Sequence, residues 1–142
     1  MLIELNKIDG VYHFEAKNES GNKVDIDASP AIGGTGKGAR PMELLIMGLG
    51  GCSAIDIISI LQKQKIDVKD FKIKIDAQRQ ADAIPALFEK IHIEFILKGD
   101  IDQAKAERAA SLSMEKYCSV AKTLEKTATI THSLTIEREY TK

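Results

Sequence analysis

The amino-acid sequence predicts one α+β domain that spans residues 1–142. Six segments alternate apolar and polar residues in the manner of half-buried β-strands, and one long segment is apolar on nearly every side, as expected of a central helix. The predicted strands cover residues 2–8, 11–16, 23–28, 70–80, 88–98 and 127–137. Because connections of hairpin length join neighbouring strands, the predicted order β-β-β-α-β-β-α-α-β is typical of an α+β fold rather than of parallel βαβ units.

The N-terminal segment is predicted to be a three-stranded sheet followed by a glycine-rich connector. Asp9-Gly10 is a strong signal for a two-residue hairpin turn, and the polar run 18–22 provides the next turn. Residues 30–40 contain four glycines but match neither phosphate-binding pattern, G-x-x-x-x-G-K-[ST] or G-x-G-x-x-G. We therefore interpret this segment as a flexible connector rather than a nucleotide site.

The central helix is predicted over residues 41–61. Pro41 suits the first helical position because its missing N–H costs nothing there, and Glu43 adds negative charge to the first turn. A helix that is apolar on every side is either a membrane span or the buried centre of a soluble fold. Asp56 and the glycines at positions 48, 50 and 51 favour the buried centre, and the glycines indicate close approach of another backbone.

The second half of the chain is predicted to form an antiparallel sheet with a two-helix segment: a hairpin, two helices and a final strand. The strands 70–80 and 88–98 alternate cleanly and are joined by a longer loop. Asp102 is predicted to cap a helix that ends near Tyr117, and a short helix over 118–125 follows. The last strand directs one set of side chains to a single face: Ala128, Ile130, His132, Leu134 and Ile136.

Overall charge and cysteine content limit the classes of function. A formal net charge of −1, with both signs scattered along the chain, gives no electrostatic basis for binding nucleic acid or an anionic membrane. The chain has two cysteines and no charged-then-apolar secretory leader, so we expect a reducing, cytoplasmic setting. In that setting two cysteines are either buried and inert or a redox or catalytic pair.

Cys52 and Cys118 are the first candidate catalytic residues. Cys52 lies near the middle of the central helix, one turn after Gly48, which leaves room for a ligand or a partner to reach the sulfur. Cys118 is expected in the first turn of a short helix, where the partial positive charge of the helix end favours a thiolate. The two cysteines are 66 residues apart in the chain, so the sequence does not show whether they are close enough in space to form a disulfide.

Arg40 and Glu43 flank the start of the central helix and are the next candidates. Glu43 precedes Cys52 by nine residues, which at about 100° per residue puts them on opposite faces, roughly 13 Å apart along the axis. Any role of Glu43 at a thiol would therefore involve another chain. Asp56, one turn after Cys52, would disfavour a thiolate if ionised; it is protonated, or it faces a cation such as Arg40 of a partner, or Cys52 is weakly activated.

The three histidines suggest neither catalysis nor metal binding. His132 lies on the apolar face of its strand and is interpreted as a core residue satisfied by one hydrogen bond. His13 and His92 fall on polar faces, as surface residues do. Cysteines and histidines lack the C-x₂₋₄-C and H-x₃₋₅-H spacings of zinc sites, so we expect no metal and no cofactor.

Two segments resemble the OsmC/Ohr family of osmotically induced and organic hydroperoxide resistance proteins. The run 41–52, PMELLIMGLGGC, is similar to the family's P-x-E-L-L…G-x-C helix, and KYCSVAKTL around Cys118 is similar to its second cysteine motif. The order of elements agrees with the family over essentially the whole chain. The resemblance implies an intertwined homodimer whose sites lie at the subunit interface.

The resemblance also implies a chemistry. Family members reduce organic hydroperoxides and so protect against oxidative stress. One cysteine attacks the peroxide as a thiolate, the second captures the resulting sulfenic acid, and a dithiol such as a lipoylated protein restores the pair. Cys52 matches the attacking position and Cys118 the resolving one, with Glu43 and Arg40 of the other chain expected to polarise and position the substrate.

The sequence departs from the family pattern at two places. The family's peroxidases hold the thiolate with an arginine from an early strand, whereas the first arginine here is Arg40; and Met42 stands where many members have an acid. The main hypothesis is a thiol peroxidase that acts on small organic hydroperoxides. The alternative is a redox-sensing or ligand-binding dimer of the same fold.

Overall fold

The computed structural model describes residues 1–138 and confirms the α+β class and the predicted order of elements. The strands are β1 (Glu4–Asp9), β2 (His13–Lys17), β3 (Lys23–Ile26), β4 (Asp70–Arg79), β5 (Phe88–Lys98) and β6 (Thr129–Glu137). The helices are α1 (Pro41–Lys63), α2 (Gln103–Leu112) and α3 (Ser119–Leu124), with a 3₁₀ turn at Pro30–Ile32 and a π-helical turn at Ser113–Tyr117. The chain forms two compact units, Met1–Leu45 and a second that begins at Ile46.

The N-terminal unit contains the predicted three-stranded antiparallel sheet, in the order β1-β2-β3. The first turn is a hairpin, as predicted, but its loop has three residues rather than two, because Asp9 pairs with His13. Gly10 adopts φ +57°, a left-handed conformation that favours glycine. The Asp-Gly signal therefore located the turn correctly and misjudged its length by one residue.

The glycine-rich segment, which was predicted to be a flexible connector, makes hydrogen bonds to the side chain of Asp27. The Asp27 side chain is buried and accepts hydrogen bonds from the Thr35 hydroxyl at 2.6 Å, the Ala28 N–H at 2.7 Å and the Thr35 N–H at 3.0 Å. These bonds, led by the Thr35 hydroxyl, outweigh burial and lower the pKa of Asp27 to about 2. A Cβ on Gly34 would lie 1.8 Å from the carbonyl oxygen of Ala28, so this loop requires glycine there.

Helix α1 covers the predicted stretch, but only one of its faces is buried. The buried stripe consists of Leu49, Ser53, Ile57 and Leu61. On the opposite side lie Gly48, Gly51, Ile55 and Ser59, all exposed, which we call the open face of α1. A Cβ on Gly48 or Gly51 would meet no described atom within 4 Å, so the backbone that is expected to approach these glycines does not come from the described part of this chain. By length and composition alone, α1 could also cross a membrane.

The C-terminal sheet has the order β4-β5-β6 and is mixed, so the prediction of an antiparallel sheet is wrong for β6. Strands β4 and β5 pair antiparallel, as predicted, whereas β6 pairs parallel to β5. A parallel neighbour needs a crossover connection of a dozen or more residues, and α2, the π-helical turn and α3 together provide it. The inner face of β5 supplies much of the core: Phe88, Ile91, Ile93, Phe95 and Leu97.

Helix α2 begins as predicted and ends earlier. The carboxylate of Asp102 accepts a backbone N–H of the first turn at 2.9 Å, which confirms the predicted cap. The helix ends at Leu112 instead of near Tyr117, because a π-helical turn follows in which the N–H of Cys118 donates to the carbonyl of Ser113 at 2.8 Å. Ser113, where this wider turn begins, is buried like the alanines of α2 that precede it, whereas Tyr117, where the turn ends, is half-exposed.

Candidate thiol site

The structure brings the two cysteines together. The Sγ atoms of Cys52 and Cys118 and a carboxylate oxygen of Asp56 all lie within 4.8 Å of one another. Cys52 and Asp56 come from α1, where a spacing of four residues puts them on the same side of the helix one turn apart. Cys118 stands at the N-cap position of α3. Both thiols are free. Cys118 follows Cys52 by 66 residues and belongs to the crossover connection between β5 and β6.

Cys118 is the inner thiol of the pair. Its side chain is fully buried, and its sulfur accepts the N–H of Ala121 at 3.4 Å. The pKa of the Cys118 thiol is raised to about 11, chiefly by burial and to a smaller extent by the nearby Cys52 and Asp56, against the lowering effect of the Ala121 N–H. The expectation that the helix end would favour a thiolate at Cys118 is therefore wrong, because desolvation outweighs one N–H donor of a six-residue helix.

Cys52 is the outer thiol. It is half-exposed and lies on α1 between the open face and the buried stripe. Gly48 precedes it by one helical turn, and the space where a Gly48 side chain would project is free of described atoms within 4 Å. Cys52 can therefore be reached from outside this chain, whereas Cys118 is reached only through its immediate neighbours.

Asp56 is held by a serine that sequence reasoning did not select. The hydroxyl of Ser113, which is fully buried, donates to Oδ2 of Asp56 at 3.0 Å. Within residues 1–138, no lysine, arginine or histidine nitrogen lies within 4.0 Å of the Asp56 carboxylate. A signal was present in the sequence, since Ser113 follows Ala106, Ala109 and Ala110 at helical spacing on the buried side of α2 and is the one polar member of that set.

Arg40 and Glu43 lie in the N-terminal unit, where they contact each other. The backbone N–H of Arg40 donates to Oε1 of Glu43 at 2.9 Å, and both side chains are exposed. This is the reciprocal half of a capping box, in which the third helical residue satisfies a free N–H at the helix start. Their role at a thiol of another chain stays a prediction.

His92 follows the sequence-based interpretation, whereas His132 lies on the predicted face of its strand but is not fully buried. His132 is half-buried on the inner face of β6, with its ring centroid 6.2 Å from that of Phe95, and it lines a surface cleft of about 260 Å³. His92 is exposed, as predicted, and its ring nitrogens lie 2.7 Å from the Thr131 hydroxyl and 3.2 Å from the Ser133 hydroxyl. Neither histidine belongs to the thiol cluster.

His13 was predicted to be a surface residue, and that prediction is wrong. Its side chain is buried between the carboxylates of Asp9, at 2.8 Å, and Asp25, at 3.0 Å. Hydrogen bonds to Asp9 and then Asp25 raise the pKa of His13, while burial opposes them. Lys37 donates to the other oxygen of Asp9 at 2.9 Å. This ion pair holds the glycine-rich segment against the first hairpin, in addition to the hydrogen bonds that the segment makes to Asp27.

Comparison with known proteins agrees with this geometry. The family model of OsmC-like proteins matches residues 34–133. Protein YhfA of Escherichia coli K12 is 45% identical over 121 residues, covering 84% of this chain and 87% of that protein. A hypothetical protein from Aquifex aeolicus has a solved structure that aligns with a TM-score of 0.84 at 31% identity, covering 98% of this chain and 97% of the other. The organic hydroperoxide resistance protein OhrB of Bacillus subtilis shares the fold, with a TM-score of 0.62 at 20% identity and coverage of 94% and 96%. The chain belongs to the family of OsmC-like proteins.

Proposed function

We propose that this protein is a dimeric thiol peroxidase that reduces small organic hydroperoxides and protects the cell against oxidative stress. The observation that carries the proposal is the pairing of a half-exposed Cys52 with a buried Cys118, their sulfurs within 4.8 Å on separate elements. A peroxidase of this kind needs one thiol that is accessible to the substrate and a second, adjacent thiol that reacts with the oxidised first thiol. The name of its structural relative OhrB, an organic hydroperoxide resistance protein, supports the same substrate class.

The proposed cycle has three balanced steps. The Cys52 thiolate attacks the terminal oxygen of a hydroperoxide ROOH, the O–O bond breaks, and Cys52 sulfenic acid and an alkoxide result; the alkoxide takes a proton from water and leaves as the alcohol ROH. The thiol of Cys118 then attacks the Cys52 sulfur, forming a disulfide and releasing water. A dithiol reductant, such as a lipoylated protein, reduces the disulfide and is itself oxidised to a disulfide. A free Cys pair of this kind persists in a reducing cytoplasm, where we place the protein.

The positions of the sulfurs suit the second step. A disulfide has an S–S length of about 2.05 Å, so two sulfurs within 4.8 Å must approach by less than about 3 Å. Cys118 begins α3 directly after the π-helical turn, and Cys52 sits on a half-exposed helix position, so the approach requires a local adjustment rather than movement of a whole element. Apolar neighbours of Cys52 on α1, including Leu49 and Ile55, suit an alkyl hydroperoxide better than hydrogen peroxide.

The dimer is the second part of the proposal. The open face of α1 leaves Ile55 68% exposed between two glycines and a serine, on a helix of otherwise apolar composition. A second copy of α1 would cover this face and make use of the small residues at the contact. In such a dimer Glu43 and Arg40 of one chain would serve the Cys52 of the other, replacing the arginine that the early strands lack.

Turnover of tert-butyl or cumene hydroperoxide with dihydrolipoate as reductant tests the proposal. We expect Cys52→Ser to abolish peroxide consumption, and Cys118→Ser to permit one turnover that ends at a sulfenic acid, detected by mass spectrometry after trapping. His92→Gln, which changes an exposed side chain on the outer face of the C-terminal sheet, is the control and retains full activity. Unchanged turnover in Cys52→Ser would refute the peroxidase assignment.

One observation favours the alternative of a stoichiometric redox sensor. The Asp56 carboxylate lies within 4.8 Å of both sulfurs, and the pKa of Cys118 is raised to about 11, so the inner thiol is not activated as a nucleophile. A sensor would be oxidised once per chain by hydroperoxide and would recover slowly with any dithiol. Multiple turnovers under the conditions above would exclude this alternative, whereas a single equivalent of peroxide consumed per chain would select it.

A further inference from the structure

We propose that the reduced protein binds one Zn²⁺ per chain through Cys52, Cys118 and Asp56. The three donor atoms are two thiol sulfurs and a carboxylate oxygen, all within 4.8 Å of one another. This proposal does not depend on the peroxidase activity, because it concerns the reduced thiols before any reaction with peroxide. It differs from the sequence-based expectation of no metal, which considered only close spacings of cysteine and histidine.

The donor set is one that zinc accepts. Zn²⁺ binds thiolate, imidazole and carboxylate ligands with tetrahedral geometry, and sites with three protein ligands keep the fourth position for water. Cys52 and Asp56 are one turn apart on α1, which is the helical spacing by which two side chains of one helix face a common ion. Cys118 comes from a different element at the start of α3, so the three ligands approach from two sides.

The distances are close to those of a tetrahedral site. With Zn–S bonds of about 2.3 Å and a Zn–O bond of about 2.1 Å, tetrahedral ligands lie about 3.6 to 3.8 Å apart. The donor atoms here are separated by no more than 4.8 Å, so the largest closure required is about 1.2 Å. Small rotations of the Cys52 and Asp56 side chains on α1 provide movement of that size, because neither side chain is fully buried.

The outer contacts of the ligands are those that orient metal ligands. The Ser113 hydroxyl donates to Oδ2 of Asp56 at 3.0 Å, which fixes the carboxylate, and the Ala121 N–H donates to Cys118 Sγ at 3.4 Å. Hydrogen bonds of this kind set the orientation of ligands and are worth about 10- to 100-fold in metal affinity. Ser113 is itself fully buried, so the hydroxyl that donates to Asp56 is shielded from water.

The charge around Asp56 and the exposure of Cys52 also suit the binding of a cation. Within residues 1–138, Asp56 has no lysine, arginine or histidine nitrogen within 4.0 Å, so a cation at the cluster would be its one direct counter-charge in that part of the chain. Cys52 is half-exposed and provides the route of entry, while Cys118 closes the inner side. A disulfide between the two sulfurs would remove both thiolate ligands, so zinc and oxidation compete for the same atoms.

Metal titration of the reduced, chelator-treated full chain under anaerobic conditions tests the site. We expect one equivalent of Zn²⁺ per chain to bind in competition with a chromophoric chelator. Co²⁺, used as a spectroscopic substitute, is expected to give tetrahedral visible bands together with sulfur-to-metal charge transfer. Ser113→Ala, which keeps all three ligands, is expected to weaken binding about 10- to 100-fold. Asp56→Asn, Cys52→Ser and Cys118→Ser are each expected to weaken it by at least as much.

Asp76→Asn is the matched control, since it removes an exposed carboxylate of β4 outside the cluster and leaves binding unchanged. Circular dichroism of each metal-free variant shows whether it is folded. If Cys118→Ser does not fold, the binding constants of Ser113→Ala and Asp56→Asn test the site instead. Absence of stoichiometric binding by the wild-type chain, or equal binding by wild type and Asp56→Asn, would overturn the site. No peroxide is present in this titration, so failure of the peroxidase proposal leaves its outcome unaffected.

Discussion

Replacing Ile55 by glutamate distinguishes two states of the open face of α1: exposure to water and contact with a second copy of the chain. Ile55 lies at the centre of the open face of α1 and is 68% exposed in the single chain. If water covers this face, a polar substitution removes no contact, and the free energy of unfolding changes by no more than about 0.5 kcal/mol. If a second α1 covers it, the same substitution puts a carboxylate into an apolar contact.

The size of the effect follows from the exposed fraction. Full burial of an isoleucine side chain contributes about 1.5–3 kcal/mol, so covering the 68% that remains exposed contributes about 1–2 kcal/mol per chain. A two-fold dimer contains this residue twice, which doubles the loss to about 2–4 kcal/mol per dimer. We therefore expect Ile55→Glu to raise the dimer dissociation constant by about 30- to 1,000-fold, before any cost of burying charge is added.

Analytical ultracentrifugation over a dilution series measures this constant. Ile84→Glu is the matched control, because Ile84 is also an isoleucine exposed to solvent but lies in the loop between β4 and β5, away from α1. We expect the control to dissociate like the wild type. If Ile55→Glu dissociates like Ile84→Glu, or if the wild type is monomeric at micromolar concentration, the reasoning about the open face is wrong, and with it the site shared between chains.

Three further predictions test the chemistry and the core. Stability that depends on charged His13 should be complete below about pH 6.5 and lost as the pH rises through its raised pKa; denaturant unfolding of wild type and His13→Gln at several pH values should show this dependence only in the wild type. Iodoacetamide near pH 8 should label Cys52 well before Cys118, whose pKa is raised to about 11, and peptide mass spectrometry should find equal labelling only in denaturant. Ile57→Ala should lower the free energy of unfolding by about 2–5 kcal/mol in the same denaturant assay, against no more than about 0.5 kcal/mol for Ile84→Ala.

The sequence predicted the elements of the fold better than their relations. Alternation along β4 and β5 located both strands and their antiparallel pairing, because each strand's pattern is local and the hairpin joins them directly. The direction of β6 could not be predicted in the same way. Its alternation is the same for parallel and antiparallel pairing, and the crossover through α2 and α3 decides which one forms. His13 was misplaced for a similar reason, since its carboxylate partners lie across the first turn and on β3.

At the thiol site the two cysteines could be selected from their motifs, whereas their surroundings could not. Helical spacing alone put Asp56 beside Cys52, but what stands opposite Asp56 depends on the end of α2. A regular helix to Tyr117 would have continued the buried stripe from Ser113 to that residue; the π-helical turn instead leaves Tyr117 outside. The same turn begins at Ser113 and leads into α3 at Cys118, so one local irregularity sets the position of the inner thiol next to the serine that holds the carboxylate.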